Sequence, residues 1–259
     1  MARNKLRKFE EMSCYPNVFQ YPLGALHEKG FEMKGRWREM YFGNPAPVVL
    51  ELGCGKGEYT VGLGKLFPGK NFIGVDIKGA RMWSGAKQAL EEHLSNVAFL
   101  RTRIELLSHF FAPGEVSEIW ITFPDPQMKK TNKRMTSTCF LRMYSELLSE
   151  GGGVIHLKTD SPFMYAYTRE MIRVNRLPTL VETDDLYRSR DADEILSIRT
   201  FYEQQWLSRG MSIKYLRFIC EPREEYLEPD IVPEPDPYRS FGRNQRPRPA
   251  CSNHFHDNL

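Results

Sequence analysis

The chain has 259 residues, 41% hydrophobic and 27% charged, a composition that argues against whole-chain disorder, a collagen-like repeat or a disulfide scaffold. Lys and Arg (36) nearly balance Asp and Glu (33), so net charge names no partner, and no run approaches the ~18 apolar residues of a membrane span. Five widely spaced cysteines without a C-x-x-C pair argue against a metal site and fit reduced thiols in a cytoplasmic protein, as does an N-terminus without an apolar signal core.

Short apolar runs rich in β-branched residues predict strands at 48–52, 71–77, 96–100, 118–123 and 153–159. Helix-length stretches lie between and around them at 58–66, 79–94, 104–111 and 136–148; in the last, Phe140, Leu141, Tyr144, Leu147 and Leu148 recur at helical spacing. Alternating strands and helices form right-handed βαβ units, and strands apolar throughout belong to a sheet covered on both faces. The expected fold is therefore α/β, doubly wound, with a mostly parallel sheet. Two further strands at 177–181 and 213–220, with a helix at 196–209 between them, bring the expected sheet to seven. Seven prolines after Glu221 exclude a regular element, so the tail is expected to be extended or disordered.

Basic residues gather at Arg3, Lys5, Arg7 and Lys8, at Lys129, Lys130, Lys133 and Arg134, and at Arg239, Arg243, Arg246 and Arg248. Each cluster reads either as a solvated face or as a phosphate-binding patch once folding has gathered them. The acidic stretch from Glu221 to Asp236 would repel a phosphate backbone.

Ligands of open α/β sheets bind at the carboxyl ends of the strands. After the first strand comes E-L-G-C-G-K-G (51–57), where Gly53 and Gly55 let backbone approach a ligand closely. It lacks the third glycine of a dinucleotide fingerprint, and Lys56 is not followed by Ser or Thr as in a phosphate-binding loop. Glu51 beside the loop suits a cationic cofactor better than a pyrophosphate. Asp76, ending the second strand, offers two acceptor oxygens to a ribose diol, or else caps the next helix. This combination resembles the S-adenosyl-L-methionine site of class I methyltransferases, in which the turn after the fourth strand faces the transferable methyl. That turn here is F-P-D-P-Q-M-K-K-T-N-K-R (123–134), which sets Asp125 beside the acceptor and four cations next to it.

F-P-D-P followed by K-K and K-R resembles the signature of the bacterial tRNA (guanine-N7-)-methyltransferase family. The lead-in K-L-R-K-F-E-E, Lys158-Thr159-Asp160 and Thr200-Phe201-Tyr202-Glu203 are similar to further family motifs in the same order. The resemblance implies a Rossmann-like methyltransferase domain over 45–221, with the last strand antiparallel, preceded by a basic lead-in over 1–44; the Pro-rich tail over 222–259 has no counterpart in the family pattern. It also implies methyl transfer from S-adenosyl-L-methionine to N7 of a guanosine in the tRNA variable loop, with no metal and no membrane. Glu51, Gly53, Gly55, Asp76, Arg103 and Asp125 would bind the cofactor, and Lys129, Asp160, Thr200, Phe201, Tyr202 and Glu203 the substrate. Arg103 stands where the family carries an acid, Gln127 where it carries tryptophan, and Thr131-Asn132 where it carries Arg-His. Hydrogen bonding to adenine near Arg103 then falls to the backbone or another group.

N7 of guanine has a lone pair and no proton, so its methylation needs alignment and electrostatics and no general base. A fixed carboxylate, with Asp125 the candidate catalytic residue, would stabilise the positive charge that develops on the purine. Guanine also presents N1–H and N2–H, matched by a carboxylate; Asp125, Asp160 and Glu203 are the alternatives. His156 and Trp120 read as core, Cys54 as a small side chain fitting its loop, and His254 and His256 as tail. Tyr202 and Trp206 read as packing on the sheet, with base stacking the alternative. Two other functions stay open: a methyltransferase acting on another acceptor, and a tRNA-binding module without catalysis.

Overall fold

The structure, a computed structural model, describes residues 2–239. Eight strands form one sheet in the order β1-β4-β3-β2-β5-β6-β8-β7. The central strands, β2 (Val48–Leu52), β3 (Asn71–Val75), β4 (Val97–Arg101), β5 (Val116–Thr122) and β6 (Gly153–Thr159), run parallel. Beyond β6, β8 (Lys214–Cys220) pairs antiparallel with both β6 and β7 (Thr179–Thr183), so β8 alone runs against the rest. Every residue of β2 and β3 is buried, because helices cover both faces at the centre of the sheet.

One strand more is present than the sequence predicts: β1 (Val18–Gln20) pairs parallel with β4 at the sheet edge. At three residues it is too short for an alternating pattern to be recognised. The rest of the lead-in is also built into the fold. Helix α1 (Ala2–Ser13) lies along α4 (Gly79–Glu91), where Trp83 Nε1 donates to Glu11 at 2.7 Å. After α2 (Leu23–Lys29), the fully buried Trp37 donates through Nε1 to the Phe110 carbonyl at 3.0 Å, and Glu115 accepts from the Gly35 and Trp37 backbone.

Two apolar layers flank the sheet. On one face α5 (Leu107–Phe110), α6 (Thr138–Leu147) and α7 (Pro162–Val174) pack with Trp37; on the other α3 (Glu58–Leu66) and α4 pack Tyr59, Leu63, Met82 and Ala86 against Phe72 and Phe99. Helix α7 is absent from the sequence expectations although its signal is present. Ser161 caps it by accepting from Met164 N at 2.9 Å, Pro162 occupies its first turn, and Phe163, Met164, Tyr167 and Met171 recur at helical spacing. The predicted helix at 196–209 shortens to α8 (Phe201–Leu207).

From Glu221 to Arg239 the chain is extended, ending in a single 3₁₀ turn at Pro237–Arg239, and is held at several points. Tyr226 and Asp236 are buried, Tyr167 Oη donates to Glu228 at 2.5 Å, and Asn175 bonds the backbone of Leu227. The basic residues Arg243, Arg246 and Arg248 and the histidines His254 and His256 lie outside the described residues. Among the described residues no helix is long and apolar enough to cross a membrane, and no cluster of three His, Cys, Asp or Glu could hold a metal.

Candidate active site

Strand β2 is the point at which the sheet order reverses, its neighbours β3 and β5 being reached by chain running to opposite sides. Above its carboxyl end opens a cleft of about 770 Å³. The glycine loop forms its floor: Gly53 N and Cys54 N donate to the Val75 carbonyl at 2.8 and 3.1 Å, and Gly55 adopts a left-handed φ of 57°. Helix α4 touches the loop from behind, so closely that a Cβ on Gly85 would stand 2.5 Å from the Lys56 carbonyl.

Glu51 does not form part of the cleft wall. It lies beneath the loop, 3% exposed, accepting from Thr60 N at 2.8 Å, from the Thr60 hydroxyl and from the Thr122 hydroxyl at 2.7 Å. Burial raises its carboxyl to about 7, against the lowering effect of those three bonds. Asp76 does reach the cleft. Its Oδ2 accepts from Gly55 N at 3.0 Å and its Oδ1 from Lys78 N at 2.8 Å, so one carboxylate ties the glycine loop to the entry of α4. The two readings of Asp76, cleft residue and helix-entry residue, therefore coexist.

The turn after β5 carries Asp125 into the cleft, exposed, with Oδ1 accepting from Gln127 N at 3.1 Å. Phe123 (φ 50°) and Gln127 (φ 46°), on either side, occupy a left-handed region costly for residues with a Cβ. The basic segment that follows divides in two. Lys130 and Lys133 line the cleft and Lys129 is exposed outside it, whereas Arg134 is buried, its guanidinium 4.8 Å from the Phe163 ring and 4.4 Å from the Tyr167 ring. Arg134 thus serves packing, which corrects the expectation of four phosphate-facing cations.

Arg103 lines the cleft at the end of β4, its side chain turned to Glu105 at 3.4 Å; Glu105 is also paired with Lys133 at 2.8 Å. Asp160, fully buried at the end of β6, borders the cleft, as do Thr200 and Tyr202. Phe201 stands beside it, its ring 3.9 Å from Lys56 Nζ. Glu203 is not at the surface. Its Oε1 lies 2.9 Å from Lys158 Nζ and 2.5 Å from Tyr187 Oη, while Thr200 and Glu203 cap α8 reciprocally. The T-F-Y-E motif therefore shapes the cleft through a helix start and a buried ion pair, and of the three candidate acids Asp125, Asp160 and Glu203 only Asp125 and Asp160 line the cleft.

Trp206 and Tyr238 line the cleft as well. The packing expected of Trp206 follows from helical spacing, which cannot tell a sheet-facing residue from a cleft-facing one. Lys56, Lys78 and Arg81 add to its cationic lining. No sequence pattern marks them, because they come from a loop and a helix start beside a cofactor-type motif. His156 stays in the core, stacked on Trp120 at 3.7 Å with Nδ1 2.6 Å from Tyr215 Oη, and Cys54 is a buried thiol whose burial pushes its titration upward.

Comparison with known proteins agrees with this architecture. Residues 45–216 match a family model described as a putative methyltransferase. The tRNA (guanine-N(7)-)-methyltransferase of Porphyromonas gingivalis is 62% identical over 91% of this chain and 98% of its own length, and that of Bacteroides thetaiotaomicron 57% identical over 95% and 97%. Among solved structures, the 16S rRNA methyltransferase KamB superposes with a TM-score of 0.55 at 14% identity, covering 79% of this chain and 96% of that one, a likeness of fold. With matches this close running almost end to end through the sheet, the glycine loop and the F-P-D-P turn, the chain belongs to the tRNA (guanine-N(7)-)-methyltransferase family.

Proposed function

We propose that the protein transfers a methyl group from S-adenosyl-L-methionine to N7 of a guanosine in the tRNA variable loop, acting in the cytoplasm. The observation that carries this reading is one cleft in which a glycine loop, Asp76, Asp125, Asp160 and a rim of cations meet. At about 770 Å³ it suits a nucleoside cofactor and an inserted base together. When bound, the cofactor supplies an electrophilic methyl on a cationic sulfur. The open backbone of Gly53 and Gly55 would admit it closely, Asp76 would accept from its ribose hydroxyls, and the chain at Arg103 would face its adenine. Asp125 and Asp160 then meet the guanine, while Lys129, Lys130 and Lys133 meet the phosphates around it. Thr200 and Tyr202 complete the wall, with Phe201 beside it.

The direct test is mass-spectrometric mapping of nucleosides after unmodified tRNA is incubated with the protein and cofactor. N7-methylguanosine at one variable-loop position is expected; methyl transfer only to protein or small molecules would replace the reading. Asp76→Ala should weaken cofactor binding by about 1.5–3 kcal/mol, the worth of hydrogen bonds to a charged group, with folding retained. An unchanged dissociation constant in calorimetry would remove the ribose assignment.

Ionised Glu51 beneath the loop attracts a cationic ligand, and burial holds its carboxyl at about 7. Cofactor affinity should therefore rise with pH through that value and become flat there in Glu51→Gln. In the apo-protein the same raised value means that the folded state holds a proton the unfolded state has shed. This contribution disfavours folding as pH rises from about 4.5 to 7 and is relieved below that window. Replacing Lys129, Lys130 and Lys133 by alanine should weaken tRNA binding and reduce the slope of log affinity against log salt by up to about 3, since each lost phosphate contact releases one counterion fewer. Arg134 is left in place because it is buried.

A further inference from the structure

Among the described residues of the C-terminal segment, Tyr238 lines the cleft. Its hydroxyl donates to Asp160 Oδ2 at 2.6 Å, and its ring meets Trp206 edge-on, centroids 5.0 Å apart and planes at 62°. The segment is anchored two residues earlier. Asp236, 1% exposed, accepts from Ser161 Oγ at 2.5 Å and from Phe163 N at 3.0 Å, in the first turn of α7 and directly after Asp160 in the chain. The Asp236 backbone also contacts Met128 Sδ at 3.3 Å, beside the turn that carries Asp125. Through these contacts the extended segment joins the F-P-D-P turn, the carboxyl end of β6 and α8 at the place where both base-facing acids lie.

We propose, resting on the function above, that Tyr238 is a positioning residue for the acceptor base. It fixes the plane of the Asp160 carboxylate through a charge-assisted hydrogen bond, and together with Trp206 it forms the aromatic wall against which guanine lies. A carboxylate that reads N1–H and N2–H must hold its plane close to that of the base, and an O–H···O⁻ bond is among the stronger means of holding it. The two rings, one from α8 and one from the C-terminal segment, offer a π-face that any base can use, so the carboxylate supplies the selectivity and the rings the contact.

The test is single-turnover methyl transfer to unmodified tRNA, at saturating cofactor and over a range of tRNA concentrations. Wild type is compared with Tyr238→Phe, Tyr238→Ala, Asp160→Asn and the double variant Asp160→Asn/Tyr238→Phe. Tyr238→Phe keeps the ring and should lower the rate at saturating tRNA about tenfold while leaving the cofactor dissociation constant unchanged. Tyr238→Ala should in addition raise the tRNA concentration needed for half-maximal rate. Because the hydroxyl acts through Asp160, the double variant should be no slower than Asp160→Asn alone. The proposal is overturned if Tyr238→Phe reacts at the wild-type rate, if the two losses add, or if Tyr238→Phe loses cofactor binding in step with rate, which would make it a packing residue. Should wild type methylate no guanosine, the function itself falls; an active wild type matched by Tyr238→Phe removes the positioning role alone.

Discussion

Glu203→Ala should destabilise the protein by about 3–5 kcal/mol, the cost of leaving one member of a buried ion pair unpartnered. Lys158 and Glu203 are both fully buried, and burial already draws the Lys158 ammonium below its ordinary value, with the Glu203 charge opposing that pull. Without the carboxylate, Lys158 retains the carbonyls of Leu196 and Ile198 and the Tyr59 and Tyr187 rings, none of which carries a compensating charge. The Tyr187 hydroxyl and the capping box of α8 lose their partner in the same change. A lysine with a lowered folded-state value releases its proton on folding, so the stability of the variant should climb as pH rises toward the ordinary lysine range of about 10.4. Because α8 begins at the cleft, methyl transfer should fall together with stability. Thermal unfolding followed between neutral and alkaline pH measures this, and a loss under about 1 kcal/mol would mean that the pair is not sealed from water.

Asp125→Asn isolates the charge of the carboxylate proposed to act at the reacting centre. The amide keeps the size of the side chain and can still accept from Gln127 N, so the turn held by Phe123 and Gln127 should persist. What is lost is a negative charge where the purine becomes positive, and single-turnover transfer should slow by at least about tenfold, or ~1.4 kcal/mol of transition-state stabilisation. Binding of cofactor and tRNA should change less. N7 carries no proton, so raising the pH should not restore the rate. Recovery with pH would recast Asp125 as a base, and an undiminished rate would remove it from the chemistry.

The strands of the parallel sheet were legible because burial on both faces leaves unbroken apolar runs, as in β2 and β3. The glycine loop, Asp76 and Asp125 were legible because each directly follows a strand, and Asp76 and Asp125 do line the cleft with Gly53 and Gly55. Depth was not legible. Glu51 and Glu203 carry family-like motifs yet lie beneath the surface, and Arg134 continues a basic run while packing between rings. Burial depends on what folds over a residue, which spacing along the chain does not encode. The same limit hid Tyr238: the chain between Glu221 and Arg239 holds no α-helix or strand that a periodic pattern could announce, and its anchoring by Asp236 at the start of α7 is a contact across more than seventy residues.

The contact between α4 and the glycine loop restricts which sequences the site can accept. Gly55 and Gly85 each resist replacement, for unrelated reasons and to different degrees. At Gly55 a Cβ would meet only the Gly53 carbonyl at 3.9 Å, an ordinary contact, so within the protein it is the left-handed φ of 57° that resists a side chain, and asparagine or aspartate, which tolerate that conformation, are the replacements evolution could try. At Gly85 the backbone is ordinary helix, but any Cβ would meet the Lys56 carbonyl at 2.5 Å and the Gly57 Cα at 2.9 Å. A drifting lineage could therefore exchange Gly55 in one step. Exchange of Gly85 would first require the helix to retreat from the loop, so at that point α4 can change only together with the loop backbone it touches.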